Sequence, residues 1–231
     1  MKKVLGLVAL LLISTSLFAA DDDDKDQGKA VDRLEAAGTV LDEIQAAPDQ
    51  GIPADVLGSA ECVAVVPSML NGAFIVGARY GRGVASCRTK TGWSAPAFFL
   101  VTGGSFGFQI GGQAVDLVML IMNQHGMHEL LTSQFKLGAD ASVAAGPVGR
   151  NATADTDWKM RAQILSYSRT RGVFAGISLS GAVVKQDKSS TSEFYGHFVT
   201  TKAALQGQVP ATDKAYPFLN SLAKWAKAAS K

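Results

Sequence analysis

Histidine and cysteine are scarce in this chain, with three His and two Cys in 231 residues. A structural or catalytic zinc centre takes three or four such ligands at characteristic spacing, so none is expected. Three dispersed histidines also leave no nucleophile–base–acid set that can be assembled with any order. Gly-x-Gly-x-x-Gly and the Walker spacing are absent, which excludes the common phosphate loops. Gly176-Ile-Ser178-Leu-Ser180-Gly181 misses the Gly-x-Ser-x-Gly spacing of a serine nucleophile elbow. No enzyme activity and no cofactor are expected.

Three near-motifs fail on inspection. Ser133-Gln-Phe-Lys136 has the spacing of serine acyl enzymes but lacks their partner motifs, and Lys136 reads as a strand residue. His125-Gly-Met-His128-Glu129 has the residues of a metalloprotease box in the wrong order. Asn151-Ala-Thr153-Ala-Asp155-Thr-Asp157 alternates oxygen donors, but Thr156 and Ala162 stand where a calcium loop needs Gly and Glu. It reads as a solvated loop.

The N-terminus lacks the marks of an anchor. Lys2, Lys3, the apolar run Val4–Leu12 and Ala19-Ala20 read as a signal peptide over residues 1–20, too short to span a bilayer. No cysteine follows to accept a lipid, and no Arg pair precedes the apolar run. Residues 21–27 carry Asp21–Asp24 and read as an acidic leader. Residues 28–231 read as a single domain. Beyond residue 26, Lys and Arg outnumber Asp and Glu by 19 to 15. That balance permits anionic partners without naming one, and nothing points to nucleic acid. Export implies a periplasmic or peripheral envelope location. It also makes a Cys62–Cys87 disulfide the default reading, with two buried thiols as the alternative.

What the chain has in abundance is glycine. Ten of its 24 glycines fall between Asn71 and Gly112, threaded through apolar runs. Glycine in strand patterns marks bends, bulges or close backbone approach, so a curved sheet is expected. Residues 28–47 carry Val31, Leu34, Ala37, Val40, Leu41 and Ile44 at helical spacing, and Pro48 ends that helix. Residues 52–60 read as a short helix. Strands are expected at 62–66, 73–80 and 83–89, with Tyr80-Gly81-Arg82-Gly83 as a hairpin turn. Further strands are expected at 97–102, 106–113, 135–145, 162–169 and 173–185. Residues 115–122 fit a strand or a helix. Residues 126–131 read as a short helix, 191–195 as a short helical turn or loop, and 212–231 as a terminal amphipathic helix. The fold class is α+β, with a curved, mostly antiparallel sheet or barrel-like core flanked by N-terminal and C-terminal helices. The run 97–122 holds only Asp116 as a charge, yet its glycines and Gln109 and Gln113 favour buried strands over a membrane span.

Basic residues gather near the expected turns: Arg79, Arg82, Arg88, Lys90, Arg150, Arg169 and Arg171. Arginine suits phosphate because its planar fork donates paired bonds. Trp93 sits beside the polar turn at 89–92, where an indole suits a bilayer interface.

Several blocks resemble the SYLF domain family. They are residues 72–83, 93–98, 103–111, 136–150, 164–168 and 172–181, and the likeness covers roughly 28–196. The resemblance implies a lipid-binding module. Eukaryotic relatives bind phosphoinositides and fungal ones also bind actin, often beside an SH3 or FYVE domain. It implies no catalytic residue. An N-terminal amphipathic segment is implicated in membrane contact in those relatives, and residues 28–47 occupy a similar place.

The expected function is thus an exported, non-enzymatic protein binding anionic phospholipid head groups. Arg79, Arg82, Arg150, Arg169 and Arg171 would hold phosphate, and Trp93 would enter the interface. Two alternatives stand beside it. One is an envelope protein partner docked by the C-terminal helix. The other is a carrier of an apolar ligand inside the sheet.

Overall fold

The apolar stripe of the first helix governs the whole arrangement. In the computed structural model, residues 20–47, 51–148, 162–170, 173–174 and 179–227 are described, without the side chains of 20–27, 73–76, 105–112 and 173–174. Helix α1 (Ala20–Ala46) runs through the acidic segment as well as the expected helix. Ala30, Leu34, Ala37, Val40, Leu41 and Ile44 are all buried. They pack on one face of the sheet, with α2 (Ala54–Ser59) beside them. The stripe is core, so α1 does not present an apolar face to a membrane in this state.

The sheet is dominated by one antiparallel ribbon. Strand β1 (Cys62–Thr89) pairs with β3 (Ala97–Ile121), from Cys62↔Ile121 to Ala85↔Ala97. Strand β2 (Gly92–Trp93) folds back on the end of β1. The expected turn at Tyr80–Gly83 does not exist. Those residues lie mid-strand, and three expected strands merge into β1 as three merge into β3. The 115–122 ambiguity resolves as strand.

Glycine explains the difference. At Gly81 the strand crosses its own beginning: an added Cβ would lie 2.5 Å from Val66 Cγ1 and 2.9 Å from Met69 Cγ. At Gly83 an added Cβ would lie 2.7 Å from the Val65 carbonyl oxygen. Local glycine-rich sequence looks like a turn, but these glycines serve close approach between distant parts of one curled strand. Curling is helped by two register shifts, at Val66/Met69 and Ala73/Ile75. Pro67 and Ser68 occupy the first, and Ser68 has a φ of 50°. Proline is tolerated there because a bulge needs no ladder donor.

The remaining strands complete the curl. Strand β4 (Gln134–Lys136) pairs with β8 (Val183–Gln186), and β8 with β3. Strand β5 (Val143–Ala145) runs parallel to β6 (Ile164–Thr170), which pairs with β3 and with β7 (Val173–Phe174). The expected strand at 135–145 is broken at Gly138, whose φ is +82°. The second sheet face is covered by α3 (Gln124–Leu130), the β4 edge and α5 (Thr201–Leu205), a helix the sequence reading missed. Helix α4 (Lys188–Tyr195) is capped by the Asp187 carboxylate.

Helix α6 (Tyr216–Trp225), preceded by a 3₁₀ turn, is shorter than the expected terminal helix. Its Phe218, Leu219 and Leu222 are buried against the same core as α1. The helices approach closely at Gly38, where a Cβ would lie 2.7 Å from the Pro217 carbonyl oxygen. The apolar face of this helix is therefore used internally. Residues 228–231 lie outside the described residues, as do the 1–19 part of the expected signal peptide and the 151–157 loop.

Candidate functional site

The disulfide is formed. Cys62 and Cys87 stand at the two ends of β1, and the bond joins them across a sequence separation of 25. Both residues are buried. Arg88, next in the chain, donates to the carbonyls of Gly58, Ala60 and Ala226, and its guanidinium lies 4.6 Å from the Trp93 ring centroid. A cation thus sits at the C-terminal ends of α2 and α6, where carbonyl dipoles converge. Trp93 is the platform under that cation and packs on the core. The half-buried indole is engaged in an intramolecular contact here.

Arg169 is likewise committed. It bonds Glu43 of α1 and, at 3.1 Å, Asp116 of β3. Asp116 in turn accepts the Ser68 backbone N–H at 2.9 Å, holding the bulge. Arg79 shares a strand face with Gly81 and Gly83, the face turned toward Met69 and Phe99, and is half-buried. Arg82, three residues on, faces the other way. The two arginines do not converge. Arg150 and Arg171 lie outside the described residues.

Only Arg82 among the described candidates stands on an open surface. Its side chain is 43% exposed and donates to the Tyr80 hydroxyl at 3.0 Å. The strand register shows what surrounds it. Arg82 is opposite Leu100, Leu100 opposite Lys185, and Lys185 opposite Gln134. The adjoining row runs Tyr80, Thr102, Val183, Lys136. Residues opposite one another share a sheet face, so these eight side chains form one surface across four strands. The intervening Phe99, Val101, Val184 and Phe135 point into the buried core. Lys136, Lys185, Gln134 and Tyr80 are exposed. No Asp or Glu stands on either row. At about 4.8 Å per strand, Arg82 and Lys185 are about 10 Å apart at the backbone.

Where this surface meets the helices, polar groups close it. Asp187 accepts from Ser190 Oγ at 2.9 Å, Ser189 Oγ at 3.0 Å and the Arg33 guanidinium at 3.4 Å, and lies 3.9 Å from Arg82. Burial by itself raises the Asp187 pKa. The Ser190 bonds, the Ser189 bond and the Arg33 charge outweigh it, so the net direction is downward. Arg33 lies 5.7 Å from the Phe98 ring centroid. Burial pulls its pKa down, and Asp187 opposes that.

The sequence reading missed Lys136 and Lys185 as site residues because each is a single outward lysine on a short strand. The exposed–buried–exposed pattern of Gln134-Phe135-Lys136 marks the outward face, but only pairing brings the two lysines to Arg82. The remaining expectations concern enclosure and metal. No group of His, Cys, Asp or Glu among the described residues could hold a metal ion. A recess lined by Ala85, Phe99, Leu130, Phe135 and Val184 encloses about 10 Å³, which is water-sized at most.

A sequence model of the family described as "Ysc84: Las17-binding protein actin regulator" matches residues 102–225. The rat protein "SH3 domain-containing YSC84-like protein 1" is 35% identical over 179 residues, covering 75% of this chain and 52% of its own length. "LAS seventeen-binding protein 3" of Saccharomyces cerevisiae is 34% identical over 184 residues, covering 76% of this chain and 39% of its own. "Protein YSC84" of the same yeast is 33% identical over 180 residues, covering 75% and 38%. This chain thus spans about half of these relatives' length or less.

Proposed function

The chain belongs to the Ysc84 (SYLF) family, and from that premise we propose that it is a non-enzymatic module binding anionic phospholipid head groups at the cell envelope. The observation that carries this reading is the open four-strand face. Arg82, Lys185 and Lys136 stand together there with Tyr80 and Thr102, and no carboxylate shares the rows. Each cation held near an anionic bilayer contributes about 1 kcal/mol, so three give a usable but salt-sensitive attraction. The open face suits a surface better than a small enclosed ligand. Export fits the buried Cys62–Cys87 disulfide, since such bonds persist in oxidising compartments. No helix among the described residues is long and apolar enough to cross a membrane.

The test is cosedimentation with vesicles. Phosphatidylcholine vesicles with a third of phosphatidylglycerol should retain the protein at low salt and release it as salt rises. Lys136→Glu with Lys185→Glu should weaken binding by at least about tenfold, from the loss of roughly two surface attractions and the added repulsion. Equal retention on neutral and anionic vesicles, or on neither, would sink the proposal.

A protein-interaction role is the second reading. It is favoured by the names of the relatives, one of which is named for binding LAS seventeen. Under it, the same face would take an acidic protein segment. Recovery of a protein partner that survives the Lys136/Lys185 reversal, with no vesicle binding by the parent chain, would favour a different surface.

A further inference from the structure

The cationic face does not end at Tyr80; the β1–β3 ribbon continues past it. On the same face the next row is Ala78↔Gly104, and the pairing runs on to Leu70↔Ala114. Between Leu70 and Ala78, and between Gly103 and Val115, there is no Asp, Glu, Lys or Arg. Leu70 is 59% exposed, the highest exposure among the large apolar side chains described. Ala78, Gly104, Gln113 and Ala114 are exposed as well. A Cβ added at Gly72 would meet nothing within 4 Å. On this face of β1 the order is therefore cation, tyrosine, then an uncharged arch, with Arg79 on the opposite face.

We propose that this arch, from Leu70↔Ala114 to Ala78↔Gly104, dips into the apolar margin of the bilayer whose head groups the Arg82–Lys185–Lys136 face holds. The inference rests on the lipid reading above and adds the mode of docking. The row order is the argument. Cations belong at head-group level, Tyr at the boundary with its ring inward and hydroxyl out, and uncharged residues beyond. Physical chemistry also limits the depth. A two-stranded ribbon has outer edges whose backbone groups need water or head groups, so it cannot cross the hydrocarbon and stops at its margin. Charge complementarity of the adjoining face selects a lipid surface over a second copy, whose identical cationic face would repel it.

The experiment uses the full chain with Leu70→Cys. Cys62 and Cys87 are joined, so residue 70 supplies one free thiol for a bimane label. Vesicles of phosphatidylcholine and phosphatidylglycerol carry a nitroxide either high or low on the acyl chain. The expected result is cosedimentation with a blue-shifted bimane, quenched at least about twofold more by the high nitroxide than by the low one, as a shallow position requires. Ala114→Asp should lower partitioning at least about threefold while leaving the melting temperature unchanged, since residue 114 is exposed. Bound protein with an unquenched label overturns the arch and leaves the lipid reading standing. Failure to bind any vesicle overturns both. A labelled chain that dimerises without vesicles, and loses this on Ala114→Asp, gives the arch to a second copy and overturns the proposal.

Discussion

Gly81 lies against Val66, fifteen positions earlier in the same strand, with room for a hydrogen and none for a methyl group. The contact is how β1 curls back on itself. Gly81→Ala forces carbon against Val66 and Met69 in a packed core, an overpacking that costs about 1–3 kcal/mol. For a domain of this size the melting temperature should fall by roughly 2–10 °C. A denaturation scan of the variant checks it, and an unchanged midpoint would contradict the close approach.

The disulfide should carry a comparable share of stability. In the chain-entropy account, a loop of this length contributes about 3–4 kcal/mol. Cys62→Ala with Cys87→Ala, or unfolding under reductant, should lower the unfolding free energy by that amount, read as a lower urea midpoint. A midpoint indifferent to reductant would show that the ribbon closes without the bond.

Arg169 and Arg82 should separate cleanly. Arg169 ties α1, β3 and the Ser68 bulge, so Arg169→Ala should destabilise by roughly 1–3 kcal/mol through the unpaired Asp116 and leave vesicle binding intact. Arg82→Ala should weaken vesicle binding several-fold and barely move stability. The reverse pattern in paired cosedimentation and urea titrations would restore Arg169 to the site.

Asp187 sets an acid dependence. Its folded pKa lies below the ordinary carboxylate value, so its contribution is fully present above the unfolded value of about 3.9. It is lost as pH falls through the lower folded value. Asp187→Asn retains an N-cap side chain and removes the charge. Parent and variant should therefore differ in urea stability at neutral pH and converge below about pH 4. A constant difference across that window would assign the effect to packing.

The limits of sequence reading follow from where each signal resides. The α1 stripe from Leu34 to Ile44 is local, and helical spacing revealed it with its buried face correct. The Cys62–Cys87 pair was legible because only two cysteines exist. Tyr80-Gly81-Arg82-Gly83 misled because its glycines look the same whether they turn a chain or admit a neighbour. Arg169 looked available because its partners, Glu43 and Asp116, are remote in sequence. Lys136 and Lys185 lie on different short strands, and cross-strand register assembles them.

The disulfide between the two ends of β1 turns that strand into a covalent ring. A ring has no single point of failure. A protease that cuts beside the exposed Leu70 would leave both fragments tied through Cys62–Cys87. The nicked protein would run as one band on a non-reducing gel and as two after reduction. A cut in this part of β1 thus opens the ring without the molecule coming apart.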